Sequence, residues 1–93
     1  MKMLFVFNPN SGKAQIKNQL MKIIQVFSKA GYEITVYPTK ASLDGYQHIL
    51  DSEGSYDVIT CSGGDGTLNE TVAAVLKYKG EKPPIGYIPV SYT

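Results

Sequence analysis

Two hydrophobic periods alternate along the chain. Residues 3–7 (Met-Leu-Phe-Val-Phe) form an unbroken apolar run of β-compatible side chains, cut off by the turn formers Asn8-Pro9-Asn10-Ser11-Gly12. The period then becomes helical. Ile16, Leu20, Ile23, Ile24 and Phe27 share one face, with Lys17, Lys22 and Lys29 largely off it. Gly31 stands where a helix C-cap belongs, residues 32–37 alternate as a strand, and Pro38 closes it. A weaker helical stretch carries Leu43, Tyr46, Ile49 and Leu50 on one face and ends at Gly54-Ser55. Asp57-Val58-Ile59-Thr60-Cys61 reads as a short buried strand, followed by a glycine-rich turn over 62–66. Leu68, Val72, Val75 and Leu76 mark a third helix, with Lys77 and Lys79 at its end and Gly80 as its cap. Pro83-Pro84 breaks the chain, Ile85-Gly86-Tyr87-Ile88 resumes a strand, and Pro89 interrupts it.

The order βαβαβαβ predicts a three-layer, Rossmann-like α/β fold: a parallel sheet with helices on both faces and right-handed crossovers. Ligands of such sheets bind beyond the C-terminal strand ends. Two polar, glycine-containing turns fall at those ends, residues 8–12 and 62–67, and Thr39 lies just past the second strand on the same edge.

Composition narrows the picture. Ninety-three residues suffice for one small domain, which buries roughly 60–65% of its unfolded surface. A net charge of +1 gives no bulk attraction to nucleic acid or to a membrane, and no nucleic-acid partner is expected. One cysteine, Cys61, excludes an intrachain disulfide and fits a reducing compartment, so a cytoplasmic location is expected. No segment approaches the roughly 20 apolar residues that span a bilayer.

The sharpest chemistry lies in Gly63-Gly64-Asp65-Gly66-Thr67-Leu68-Asn69-Glu70. Three glycines in four residues leave no Cβ to block a ligand and let successive N–H groups converge. The run opens a helix whose first-turn N–H groups favour phosphate. Thr67 can cap that helix or offer its hydroxyl to a phosphate oxygen. Asp65 would repel phosphate unless a cation lies between them, which makes Mg²⁺ its natural partner. The plain alternative is a strand-to-helix turn with Asp65 or Thr67 as cap. Asn8-Pro9-Asn10-Ser11-Gly12-Lys13 also joins a strand to a helix, but Phe7 and Ala14 stand where a Walker A loop needs glycine and Ser or Thr. His48 has no spaced partner, and it and Cys61 are expected to pack rather than catalyse. Neither a Ser–His–Asp nor a zinc-spaced set occurs.

In these two runs the chain resembles the bacterial diacylglycerol kinase family, over about residues 1–89. That resemblance implies that residues 1–93 are the N-terminal nucleotide-binding domain of a kinase whose β-rich C-terminal domain lies elsewhere. The implied reaction moves the ATP γ-phosphate to the hydroxyl of a diacylglycerol-like lipid. Asn8, Pro9, Asn10, Ser11, Gly12 and Thr39 would line the nucleotide, and Gly63, Gly64, Asp65, Gly66, Thr67, Leu68 and Asn69 would wrap its phosphates. Asp65 takes the catalytic role, binding Mg²⁺ or stabilising the transferring group. The lipid is expected to reach the enzyme through the other domain, with transient contact at the membrane surface, and self-association to a homodimer is a further expectation.

Two departures accompany the resemblance. Where the family continues after Ile88-Pro89 with a variable residue, Gly-Thr and an Asn-Asp pair, this chain reads Val90-Ser91-Tyr92-Thr93. The C-terminal domain, with the acid that would deprotonate the lipid hydroxyl, is not within these residues. A truncated, pseudo- or frame-disrupted domain is therefore expected, inactive by itself. Related families sharing Gly-Gly-Asp-Gly supply the alternatives: an NAD kinase-like or phosphofructokinase-like fragment. A non-catalytic nucleotide-binding module is the other.

Overall fold

The computed structural model describes residues 1–9, 15–41 and 43–89. Along the chain run β1 (Lys2–Phe7), α1 (Gln15–Lys29), β2 (Glu33–Pro38), α2 (Asp44–Asp51), β3 (Val58–Gly63), α3 (Asp65–Leu76) and β4 (Ile85–Pro89). The four strands form one parallel sheet in the order β2-β1-β3-β4. The expected α/β architecture is what forms.

β1 is unbroken in its apolar character because it lies inside the sheet with helices on both faces, and all of Met3–Phe7 is buried. Its side chains sort by alternation. Leu4 and Val6 join Ile59 and Cys61 of β3 under Ile49 of α2 and Ala74 and Val75 of α3. Phe5 and Phe7 face the other way, against Leu20 and Ile23 of α1. Two facts place the helices so. The chain moves one way from β1 to β2 and the opposite way from β2 through β3 to β4. With crossovers of one hand, that reversal puts α1 alone on one face and α2 with α3 on the other.

α1 ends as its sequence predicts. Gly31 adopts φ 93° and donates its N–H to Ser28 O, while Tyr32 N–H reaches Phe27 O at 3.1 Å. This is the paired closure of a Schellman cap. Pro38 is the last residue of edge strand β2 rather than a residue beyond it. Glu33 and Thr39 send their N–H groups to β1, at Met1 O and Phe7 O. By alternation the N–H that Pro38 lacks would point to solvent.

Details of α2 and α3 differ from expectation. α3 ends at Leu76, and Gly80 lies past it with its N–H on the Glu53 carboxylate at 2.8 Å, so it does not cap the helix. The buried face of α3 is Thr71, Ala74 and Val75 with Leu68 packed behind, whereas Val72 and Leu76 are exposed. Thr71 can sit in the core because its hydroxyl donates to Thr67 O one turn back at 2.9 Å. Leu43 is exposed at the N-cap of α2 in the left-handed region, φ 66°, outside the helix face it was expected to share.

Candidate functional site

β1 feeds leftwards to β2 and β3 feeds rightwards to β4, so the segments leaving their adjacent C-terminal ends diverge. Such a switch point opens a crevice in an open α/β sheet. Asn8 carries the ladder one step past β1, donating its N–H to Ser62 O at 3.2 Å. This fixes the start of the first turn directly beside the glycine run. Asn10, Ser11 and Gly12 lie outside the described residues.

The glycine-rich turn is tighter than expected. Gly63 is still strand, Gly64 alone is the junction, and Asp65 and Gly66 already belong to α3. Gly63 is required by geometry: it adopts φ 153°, and a Cβ there would meet Thr67 Oγ1 at 2.6 Å and Thr67 Cβ at 3.0 Å. Its carbonyl accepts from the Tyr87 hydroxyl at 2.9 Å, tying the junction to β4. Gly64 is the N-cap of α3 and no side chain among the described residues caps the helix, so neither Asp65 nor Thr67 takes the capping role. The helix therefore begins without a side-chain acceptor for its first donors, the condition under which a helix N-terminus receives an anion. A Cβ at Gly66 would meet nothing within 4 Å; the space above this turn is open.

Beneath the crevice mouth is a cavity of about 380 Å³, within the range of small-molecule sites. Asn8, Thr39, Gly64, Gly66 and Thr67 all line it. The structure thus gathers into one wall residues separated by nearly two thirds of the chain. Gly63 is buried under the junction, Asp65 and Asn69 are exposed on the first turns of α3, and Leu68 turns into the core. Lys40, Gly45 and Thr71 line the cavity without having been singled out as ligands; Glu70, expected from its place about one turn past Asp65 either to help hold a cation or to face solvent, lines it too. Gly45 carries the one signal that reads in hindsight as contact: a glycine in the first turn of a short helix. Thr39 is fixed by giving both its N–H and its hydroxyl to Phe7 O, at 2.9 and 3.3 Å.

Two isolated residues behave as packing predicts. Cys61 is buried, which raises its thiol above the ordinary value. His48 stacks on Tyr37 with ring centroids 3.8 Å apart and planes 4° from parallel. The Ser62 hydroxyl, near the C-terminal end of β3, is buried with no hydrogen-bond partner among the described residues.

Residues 2–90 match the family model of the diacylglycerol kinase catalytic domain. A diacylglycerol kinase of Staphylococcus aureus (strain bovine RF122 / ET3-1) is 38% identical over 89 residues, covering 91% of this chain and 27% of that protein. One from Staphylococcus saprophyticus is 37% identical over 86 residues, with 91% and 28% covered. The crystal structure of a diacylglycerol kinase from Bacillus anthracis str. Sterne superposes with a TM-score of 0.84 at 25% identity, over 97% of this chain and 33% of that one. The chain thus spans about 27% of the length of the first of these relatives. The resemblance drawn from the two loop motifs is borne out, and it stands ahead of the NAD kinase-like and phosphofructokinase-like alternatives.

Proposed function

The chain belongs to the diacylglycerol kinase catalytic domain family, and from that premise we propose that it is the ATP-binding portion of a lipid kinase. The observation that carries this reading is the uncapped α3 N-terminus at Gly64-Asp65-Gly66, opening beside Asn8 at the sheet's switch point. The N–H groups of the α3 first turn receive the ATP phosphates, and Thr67 offers its hydroxyl there. Asn8, Pro9 and Thr39 line the rest of the nucleotide, and Asn10, Ser11 and Gly12 are assigned to it from the sequence motif alone. The γ-phosphate passes to the hydroxyl of a diacylglycerol-like lipid.

The donor set bears on the metal. No group of three or more His, Cys, Asp or Glu exists among the described residues; Asp65 is an exposed carboxylate on the first turn of α3, and Glu70 is the carboxylate that lines the cavity. One carboxylate plus substrate phosphates is an ordinary Mg²⁺ arrangement, so the residues fit an ion carried in with the nucleotide. Bound there, the ion would neutralise charge on the transferring phosphoryl group. The chain's own part is positioning: a fixed glycine junction, an oriented helix terminus and a side wall at Thr39.

These residues contribute the nucleotide side of the reaction; the lipid site and the proton acceptor for its hydroxyl are not assigned among them. No helix among the described residues is long and apolar enough to cross a membrane. The lipid is met by transient contact at the membrane surface, from the cytoplasm. Self-association would draw on Val72 and Leu76, exposed on the outer face of α3.

The test is a titration of the chain with Mg·ADP, read by backbone amide shifts. Shifts clustered at Asn8, Thr39 and Gly63–Asn69 are expected. A folded sample whose amides do not move at saturating ADP refutes the nucleotide reading.

A further inference from the structure

The cavity wall at residues 39–41 hangs from β2, an edge strand paired to β1 alone. A loop so placed lacks a second strand to hold it, yet it is tied down at three points. Thr39 is doubly bonded to Phe7 O. Gly45, in the first turn of α2, leaves no gap between helix and loop: a Cβ there would meet Thr39 Cγ2 at 3.1 Å and Val6 Cγ1 at 3.3 Å. Asp44 makes the third tie. One carboxylate oxygen accepts from the Tyr37 hydroxyl at 2.7 Å and the other from the Lys40 N–H at 2.8 Å.

That use of Asp44 is unusual for its position. An acid in the first turn ordinarily serves its own helix N-terminus. Here α2 starts from Leu43 in the left-handed region with no side-chain cap, and the carboxylate is turned back across the loop instead. Tyr37 is itself held from a second direction, its ring stacked on His48 one turn further along α2. The clasp therefore joins the end of β2, the loop and two turns of α2 into one unit. What it presents to the cavity is Thr39, Ala41 and Lys40, the one cation among the described lining residues.

We propose that Asp44 is a positioning residue for the nucleotide: bridging Tyr37 and the Lys40 backbone, it holds residues 39–41 as a preformed wall against the ligand. The role rests on the nucleotide reading of the same site. A wall already ordered spares the ligand the entropic cost of ordering it, so losing the clasp weakens binding with little change in the fold.

The test combines Mg·ADP titration with amide hydrogen exchange on this chain and its Asp44→Ala, Asp44→Asn and Tyr37→Phe variants. In Asp44→Ala the α2 amides stay protected, the Lys40 amide exchanges at least about tenfold faster, and ADP binds at least about tenfold more weakly. Asp44→Asn keeps an oxygen for the Lys40 N–H and recovers most of the affinity. Tyr37→Phe lies between and decides the matter if Asp44→Ala does not fold. Wild-type-like ADP affinity in a folded Asp44→Ala or Tyr37→Phe overturns the positioning role alone. A wild-type chain that binds no ADP overturns the nucleotide reading and this role together.

Discussion

Gly63 and Gly66 sit three residues apart in one motif, and the structure assigns them opposite reasons for lacking a side chain. At Gly63 the reason is internal. An alanine there adopts a backbone region at φ 153° that costs roughly 1–3 kcal/mol. Its Cβ would lie 2.6 Å from Thr67 Oγ1 and 3.0 Å from Thr67 Cβ. Rotating Thr67 can move the oxygen but not the Cβ, so the first turn of α3 must shift, an overpacking cost of about 1–3 kcal/mol. Gly63→Ala should therefore lose about 2–6 kcal/mol. A chain of 93 residues is expected to hold about 5–14 kcal/mol in all. At about 4–8 °C per kcal/mol, its melting temperature should fall by at least about 8 °C. At Gly66 the reason is external. A Cβ meets nothing within 4 Å, and a helical alanine is preferred over glycine by up to about 1 kcal/mol. Gly66→Ala should melt at or slightly above the wild-type temperature. If phosphate occupies the open space above this turn, the added methyl should weaken Mg·ADP at least about tenfold, or about 1.4 kcal/mol. Thermal denaturation followed by circular dichroism, paired with calorimetric ADP titration, reads both quantities. A Gly66→Ala variant that binds ADP like wild type would refute the phosphate cradle, and an unchanged melting temperature for Gly63→Ala would refute the strain argument.

Other consequences can be checked on the same samples. Ser62→Ala removes a buried hydroxyl without a hydrogen-bond partner among the described residues, so its melting temperature should hold or rise by a few degrees, about 1 kcal/mol of relieved desolvation; a clear drop would mean the hydroxyl is paired in solution. Tyr78→Phe deletes the bond from the Tyr78 hydroxyl to Ile49 O that ties the end of α3 to α2, and should cost about 1–2 kcal/mol in urea unfolding; a loss near zero would show that the bond does not hold. Hydrogen bonds from Tyr37 and Lys40 hold the Asp44 carboxyl below its ordinary 3.8. A depressed native value adds stability that is complete above 3.8 and is lost as pH falls through the native value. The wild-type advantage over Asp44→Ala should therefore be constant from pH 5 to 7 and shrink below 3.8, and an advantage unchanged down to pH 2 would contradict the bond assignment.

How much of this was legible in the sequence depends on whether the deciding contact is local. The strands and the α1 cap were legible because they follow from nearest-neighbour physics: an apolar run stopped by Asn8-Pro9, and Gly31 at φ 93° closing a helix. The inward face of α3 was not. Val72 and Leu76 have the helical spacing of core residues, but Thr71 takes the buried place by bonding its hydroxyl to Thr67 O. Hydrophobicity alone ranks those residues the other way. The site divides along the same line. Asn8 and the glycine junction announced themselves because each is a local break at a strand end, and the sheet order β2-β1-β3-β4 then brings the two together. Lys40 and Gly45 have ordinary identities in a loop and a helix, and become a wall with Glu70 only because α2 crosses back over β1 to pack beside α3. Asp44 is the extreme case. As a letter it is a first-turn acid with a familiar helical role, and nothing in its neighbourhood diverts it. The diversion comes from Tyr37, seven residues earlier on β2, whose hydroxyl meets it at 2.7 Å. An edge strand has no second neighbour to steady its loop, and a side chain from the next helix does so instead. Residues that shape such a site are thus missed most readily where the sheet ends and helices must complete the wall.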